Sequence, residues 1–308
     1  MGITQLVVLS ISSKNLMKNP PEQNQHKLPQ VYMRQFGYDY KGQKKVSVLK
    51  IGEKFTRQKS IESFLSETNV FKINCENPEF ENIFEDLNGL IENEYLNFIS
   101  DLDNDQTLSE KSYAIILQLI PNLLCRTDEM RSLVSQLLKT DAKTKFLKII
   151  CIHMAPDIET LEQKDFYKTM AEQPINGDVI NRALIFLMNH IFRLVAHYDI
   201  VILKSQENKP WYTSDNPIVF ENRMANFIIM LKESEIYFPL NSQYLLYLHH
   251  QESDDKKNEL RELKSNKVHL ASDKQNQILQ EKIMKNANEY VIIKGELKYT
   301  IGVNIDDD

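Results

Sequence analysis

The chain has 308 residues, of which 42% are hydrophobic and 26% charged. Those values exclude collagen-like, rod-like, wholly disordered and disulfide-miniprotein classes. The formal net charge is −6 and the pI is near 5.7, which argues against nucleic-acid binding through overall charge; a local basic groove stays open.

Residues 1–23 read as a tail or a start-site artefact, because Met17 opens a more ordinary beginning. The apolar run 6–9 is short and has no basic residue before it, unlike a signal peptide. Residues 18–29 are polar and Pro-rich and read as an extended lead-in. Residues 31–36 alternate, which predicts a strand with Tyr32, Arg34 and Phe36 on one face. With a second strand at 46–51, residues 30–51 read as a hairpin.

From about 79 to 203 the chain reads as helical. Phe84, Leu87, Leu90, Ile91 and Tyr95 follow the helical period. Thr107 and Glu110 form a capping-box pattern, and Pro121 is predicted to kink or split the helix that follows. Further helices are expected at 128–139, 143–153 and 178–203, with a loop and a short helix at 155–177. Beyond Lys209, strands are expected at 211–220, 228–231, 235–238 and 244–248. A charged, exposed stretch at 251–267, a helix near 272–288, a strand at 290–293 and a solvated Asp306-Asp307-Asp308 tail complete the reading.

The fold class is therefore α+β: a central helical bundle packed against a mixed or antiparallel sheet, the sheet formed by the N-terminal hairpin and C-terminal strands. Residues 24–308 read as a single domain, with a helical lobe at about 79–203 and a β-containing lobe at 24–51 plus 210–300. No apolar run approaches the roughly 18 residues of a membrane span. Cys75, Cys125 and Cys151 lack CxxC spacing and read as reduced thiols of a cytoplasmic protein with no membrane partner.

Familiar motifs fail on inspection. There is no GxGxxG, and residues 37–44 put Gln43 and Lys44 where a phosphate loop needs Lys and Ser or Thr. His190 and His197 share a helix face but have no third ligand beside them, so they read as part of a helix–helix seam. Glu85 and Glu92 also share a face, about 10 Å apart along the axis, too far for one metal unless the side chains converge.

Three segments carry a resemblance. His26-Lys27-Leu28-Pro29-Gln30-Val31-Tyr32-Met33-Arg34-Gln35-Phe36 resembles the opening H-x-V-P-x-x-Y-L-R-x-F of the family catalogued as domain of unknown function 4238, with Leu28 and Met33 as apolar replacements. Thr213-Ser214-Asp215-Asn216-Pro217-Ile218 is similar to its T-S-D-N-P-V. Tyr237-Phe238-Pro239-Leu240-Asn241 is similar to its F-P-L-S-P, and Asn241 and Ser242 depart from the ending. Weaker matches are Glu85 and Glu92 on a family helix, and Arg126-Thr127 with Arg131. The resemblance covers residues 24–293, implies one intact unit, and supplies no reaction.

If the matched polar residues converge, they suit phosphoester hydrolysis. His26, Arg34, Ser214 and Asp215 are the expected catalytic residues, and Arg126, Arg131 and Asn216 the expected binding residues. Glu85, Glu92 and Asp215 would hold Mg²⁺ or Mn²⁺ through oxygen. The leading expectation is a metal-assisted hydrolase of nucleic acid or nucleotide, extended to a toxin-like or defence effector. A nucleic-acid substrate would need a basic rim, expected from Lys139, Lys143, Lys145 and Lys148. One alternative is a non-catalytic binding module whose polar cluster is a structural ion-pair network. The other is a metal-free acid/base hydrolase using Glu85 or Glu92 with Asp215. Residues 214–217 also read simply as a strand-end turn.

Overall fold

The computed structural model describes residues 24–74, 83–221, 232–253 and 258–294. The expected tail at 1–23, Cys75, the strand at 228–231 and the acidic tail lie outside the described residues. The N-terminal part runs β1 (Asn24–His26), α1 (Gln30–Arg34), β2 (Tyr38–Tyr40), β3 (Gln43–Lys50), β4 (Arg57–Ser60) and β5 (Ser66–Thr68). Helices follow: α2 (Ile83–Asn93), α3 (Tyr95–Asp105), α4 (Glu110–Arg126), α5 (Asp128–Leu138), α6 (Lys143–Cys151), α7 (Ile158–Gln163), α8 (Asp165–Glu172) and α9 (Gly177–Val195). The rest is β6 (Tyr198–Lys204), β7 (Thr213–Ser214), β8 (Val219–Glu221), β9 (Glu235–Pro239), β10 (Tyr244–His250), β11 (Val268–Leu270), α10 (Asp273–Lys285) and β12 (Tyr290–Ile293). This is an α+β fold.

One sheet has the order β11-β6-β10-β9-β8 and is antiparallel except for the parallel β11–β6 pair. A second has the order β2-β3-β12-β7, with β4 paired to β3. The strands β1 and β5 form a small antiparallel pair of their own.

The segment expected as the end of a long helix, 198–203, is instead the strand β6. The helix α9 stops at Val195, and Ile200-Val201-Ile202-Leu203 is the kind of β-branched run that favours a pleated, buried strand. Its alternating side chains serve two cores. Ile200 and Ile202 join the main core with the helical bundle, whereas Val201 and Leu203 pack with Trp211, Leu279 and Ile283. The sheet is thus covered on one face by the bundle and on the other by α10.

Residues 30–34 are a helix rather than a strand. Met33 N–H donates to the Pro29 carbonyl, and helical spacing buries Tyr32, Met33 and Phe36 while leaving Arg34 exposed. A strand with Tyr32, Arg34 and Phe36 on one face would have buried an unpaired guanidinium among aromatics, which is costly. Tyr32 stacks on Phe238 at 5.5 Å, and its hydroxyl bonds to Thr213 Oγ1 and the Pro239 carbonyl. The hairpin is β2–β3, closed by Lys41 and Gly42, both at positive φ, as a two-residue primed turn requires.

Smaller corrections follow the same logic. The N-cap of α4 is Ser109, which accepts from Ser112 N–H, and the helix runs through Pro121. Leu90 is exposed although it keeps the period. Residues 155–177 hold two short helices, α7 and α8. The charged stretch at 251–267 turns Arg261 inward, where its Nε donates to the buried Glu235 at 2.9 Å. Glu235 also accepts from Tyr237, Tyr247 and Asn258. No helix among the described residues is long and apolar enough to cross a membrane.

Candidate functional site

Arg126, the last residue of α4, is the node of a polar cleft. Its side chain is 2% exposed. Nε donates to the His26 carbonyl at 3.1 Å, Nη2 donates to the same oxygen, and Nη1 pairs with Glu92 Oε1 at 2.9 Å. The guanidinium lies 5.7 Å from the centre of the Phe71 ring, which stacks on Phe84 of α2 at 4.7 Å. These contacts bring β1, α2 and α4 together. The cleft between them and α1 has a volume of about 450 Å³ and is lined in part by His26, Gln30, Arg34, Glu85, Glu92 and Arg126.

The lining groups differ in state. Burial pushes the Glu85 carboxyl above its ordinary pKa, against the opposing pull of Arg126 and of the Asn88 side chain, whose Nδ2 donates to Glu85 Oε1 at 3.0 Å. Burial lowers the His26 pKa, which favours the neutral ring. His26 Nε2 faces the Glu62 carbonyl at 3.1 Å and Gln30 Nε2 at 3.3 Å. That nitrogen can donate to the first or accept from the second, so the tautomer decides which partner it serves. Arg34 is exposed and donates through Nη2 to Gln30 Oε1 at 2.9 Å, so Gln30 links it to His26.

The structure brings together His26, Arg34, Glu85, Glu92 and Arg126. It does not bring Ser214, Asp215, Asn216 or Arg131 to the cleft. Asp215 accepts the backbone N–H groups of Asn288, Glu289 and Tyr290, closing the turn before β12. Burial raises its pKa against those three bonds. Ser214 Oγ donates to the Asn216 carbonyl, and Asn216 Nδ2 donates to Glu129 and to the Asn286 carbonyl. The T-S-D-N-P segment is thus a buried turn that ties β7 to β12. Arg131 donates to Asn181 Oδ1 at 2.6 Å beside Phe71.

The expected metal set is therefore divided, with Glu85 and Glu92 in the cleft and Asp215 elsewhere. Among the described residues, no three His, Cys, Asp or Glu side chains are grouped so as to hold a metal ion. Lys139, Lys143, Lys145 and Lys148 do not line the cleft; Lys143 bonds to the Ala171 carbonyl and Lys148 pairs with Glu162. A wider groove of about 940 Å³ elsewhere, lined by Lys204, Gln206, Ser242, Leu270 and Lys294 among others, holds none of the expected residues.

Gln30, Asn88 and Asn122 were not expected at the site. Asn122 Nδ2 donates to Asn88 Oδ1 at 2.7 Å, behind Glu85. A signal for Asn88 existed, since it occupies a position where the helical period of Phe84, Ile91 and Tyr95 calls for an apolar residue. A family model described as "Protein of unknown function (DUF4238)" matches residues 24–296. No curated protein and no solved structure matches the chain.

Proposed function

The chain belongs to the DUF4238 family, and from that premise we propose that its cleft is the site of an acid/base hydrolase acting on an anionic substrate, a phosphoester by preference. The observation that carries this reading is the contrast between two carboxyl groups on one face of α2. Glu85 is inclined by burial to keep its proton, whereas Glu92 faces the Arg126 guanidinium. Burial makes Glu85 the candidate general acid. Glu85 would protonate the leaving oxygen and Glu92 would take a proton from attacking water. Both residues line one cleft, so a water and a substrate could lie between them. Arg34, whose hydrogen bond among the described residues goes to neutral Gln30, is the group available to grip an anion.

The lysines expected as a basic rim lie away from this cleft, which favours a small anionic substrate over a nucleic-acid strand. A toxin-like or defence role draws no support from the cleft. Two carboxylates with a substrate phosphate could hold Mg²⁺ or Mn²⁺, so the test below includes a chelator arm that separates the metal-assisted reading from the metal-free one. Cys125 and Cys151 are buried and free, which suits a cytoplasmic setting.

A second reading has its own support. Arg126 gives three of its five N–H donors to the His26 carbonyl and Glu92, as in a structural ion-pair network. The test is hydrolysis of aryl phosphate monoesters, diesters and glycosides by wild type, Glu85→Gln, Glu92→Gln and Arg34→Ala, with Mg²⁺ or with EDTA. The expected result is EDTA-resistant phosphoester cleavage that falls about 10²-fold or more in Glu85→Gln. Cleavage abolished by EDTA would restore the metal-assisted reading. No cleavage of any substrate, with variants altered only in stability, would leave the cluster as architecture.

A further inference from the structure

The groove of about 940 Å³ shares no lining residue with the cleft around Arg126. It lies where β6 and β11 end and β10 begins. Lys204, the last residue of β6, is paired with Tyr244 of β10 and with Leu270 of β11. Cross-strand partners share a face of a sheet, so the three side chains form a row. Tyr244 is buried, and the centre of its ring lies 6.0 Å from Lys204 Nζ. Leu270, at the other end of the row, is 65% exposed. Lys294 reaches the groove from just past β12, where its Nζ donates to Ser242 Oγ at 3.1 Å. Among the described residues, neither ammonium meets a carboxylate. Two cations on one groove without a counter-ion draw an anion into it.

The remaining polar wall is rich in acceptors. Gln206 Nε2 donates to the Ala271 carbonyl, and Gln243 Nε2 faces the Tyr244 hydroxyl at 3.4 Å. Both glutamines therefore have Oε1 left to offer. Glu207 lines the same groove and forms no ion pair among the described residues. Acceptors of this kind suit hydroxyl donors, and a carboxylate repels a bare oxyanion. The wall is also set in advance. Ser205 N–H donates to the Gln243 carbonyl at 2.8 Å, and Trp211 N–H to the Ser242 carbonyl at 2.8 Å. Lys209 N–H donates to the Gln206 carbonyl at 3.1 Å and closes the turn that carries Glu207. A wall held by backbone bonds receives a ligand with little reordering.

We propose that this groove binds a small phosphorylated molecule that also carries hydroxyl groups, a sugar phosphate or a mononucleotide. Lys204 and Lys294 hold the phosphate, and Glu207 and the two glutamine oxygens accept from the hydroxyls. The volume suits a ligand of that size. Leu270 and Pro210 add an apolar patch that a nucleobase would cover and a bare sugar would not. The site is independent of the hydrolase reading, because the two share no residue.

Isothermal titration calorimetry tests it in the double variant Arg34→Ala, Glu85→Gln, which lacks the anion grip and the acid proposed for the cleft. The probes are ribose 5-phosphate, adenosine monophosphate, inorganic phosphate and ribose. One phosphorylated probe is expected to bind per chain, and Lys204→Gln or Lys294→Gln, added singly, to weaken it about tenfold or more. Neither lysine is buried, so these variants are expected to fold, and melting curves check that they do. Ribose and inorganic phosphate are each expected to bind about tenfold more weakly than the whole ligand. Glu207→Gln is expected to weaken ribose 5-phosphate yet tighten inorganic phosphate, a split that unspecific charge attraction does not produce. Tighter binding of adenosine monophosphate than of ribose 5-phosphate would assign a nucleotide, and the reverse order a sugar phosphate. Three results would overturn the proposal: no binding of either phosphorylated probe, lysine variants that bind as well as their parent, or a Glu207→Gln variant that tightens every anion alike. Binding present in wild type and absent from the double variant would place the anion in the cleft and also remove the groove as a site.

Discussion

The Arg126 guanidinium closes on the main-chain carbonyl of His26, 100 residues earlier in the chain, with Nε at 3.1 Å. One buried cation thereby fixes a three-residue strand, β1, against the helical bundle, while its remaining edge holds Glu92. Lysine cannot copy this, because a point charge lacks the planar set of donors. Arg126→Lys is expected to lower stability by about 2–4 kcal/mol, and Arg126→Met by a similar amount, measured by urea unfolding. Hydrogen exchange should rise first in β1 and β5, which hold each other by a short pairing.

Glu85→Gln is expected to stabilise the protein near neutral pH while removing activity. The Glu85 pKa is raised in the folded state by burial. Its favourable contribution is thus present below the unfolded value and is lost as pH rises through the folded one. The neutral glutamine avoids that loss. Melting curves of the two proteins should lie together near pH 4 and separate as pH rises toward 7, with Glu85→Gln the more stable.

Asp215→Ala is expected to act through stability alone. Three backbone N–H groups lose their acceptor, at a cost of about 1–3 kcal/mol, and β12 loosens from β7. Thermal melting checks the loss. Activity per folded molecule should match wild type, and added Mg²⁺ or Mn²⁺ should shift both proteins alike. A metal-dependent shift confined to wild type would return Asp215 to the site.

The pair Glu235–Arg261 predicts behaviour in acid. Burial works to raise the Glu235 pKa, but donors from Tyr247, Asn258, Arg261 and Tyr237 outweigh it and hold the carboxyl below its ordinary value. Its contribution is therefore present above the unfolded value, near 4.5, and is lost as pH falls through the lowered folded value. Arg261→Ala is expected to cost about 3–5 kcal/mol and to move the acid-unfolding midpoint upward, followed by circular dichroism.

Parts of this organisation were legible in the residues and parts were not. The β9, β10 and β12 strands and most helices announced themselves through aromatic and β-branched runs or helical periods. The helix α1 did not, because Tyr32 and Phe36 fit both an i, i+2, i+4 alternation and a single helical turn; only the burden of burying Arg34 decides between them. The strand β6 was hidden because no Gly or Pro separates it from α9, and His197 and Asp199 alone interrupt the apolar pattern there. At the site, five charged or titratable residues from three segments did converge as their types suggested. Ser214, Asp215 and Asn216 form an equally distinctive motif, yet its chemistry is turned on its own backbone. Side-chain type alone cannot tell a carboxylate facing a ligand from one facing three amides.

The position of β12 between β3 and β7 has a consequence for biosynthesis. The strand that completes the N-terminal hairpin's sheet is among the last described segments to leave the ribosome. Until Tyr290–Ile293 emerges, β3 presents an open hydrogen-bonding edge beside Val46 and Val48. Vectorial synthesis gives this sheet no head start, and its closure awaits a contact that spans most of the chain. A nascent or truncated chain lacking that strand would expose an edge suited to pairing with another molecule, so the protein's yield in the cell should depend on how that edge is shielded before the last strand arrives.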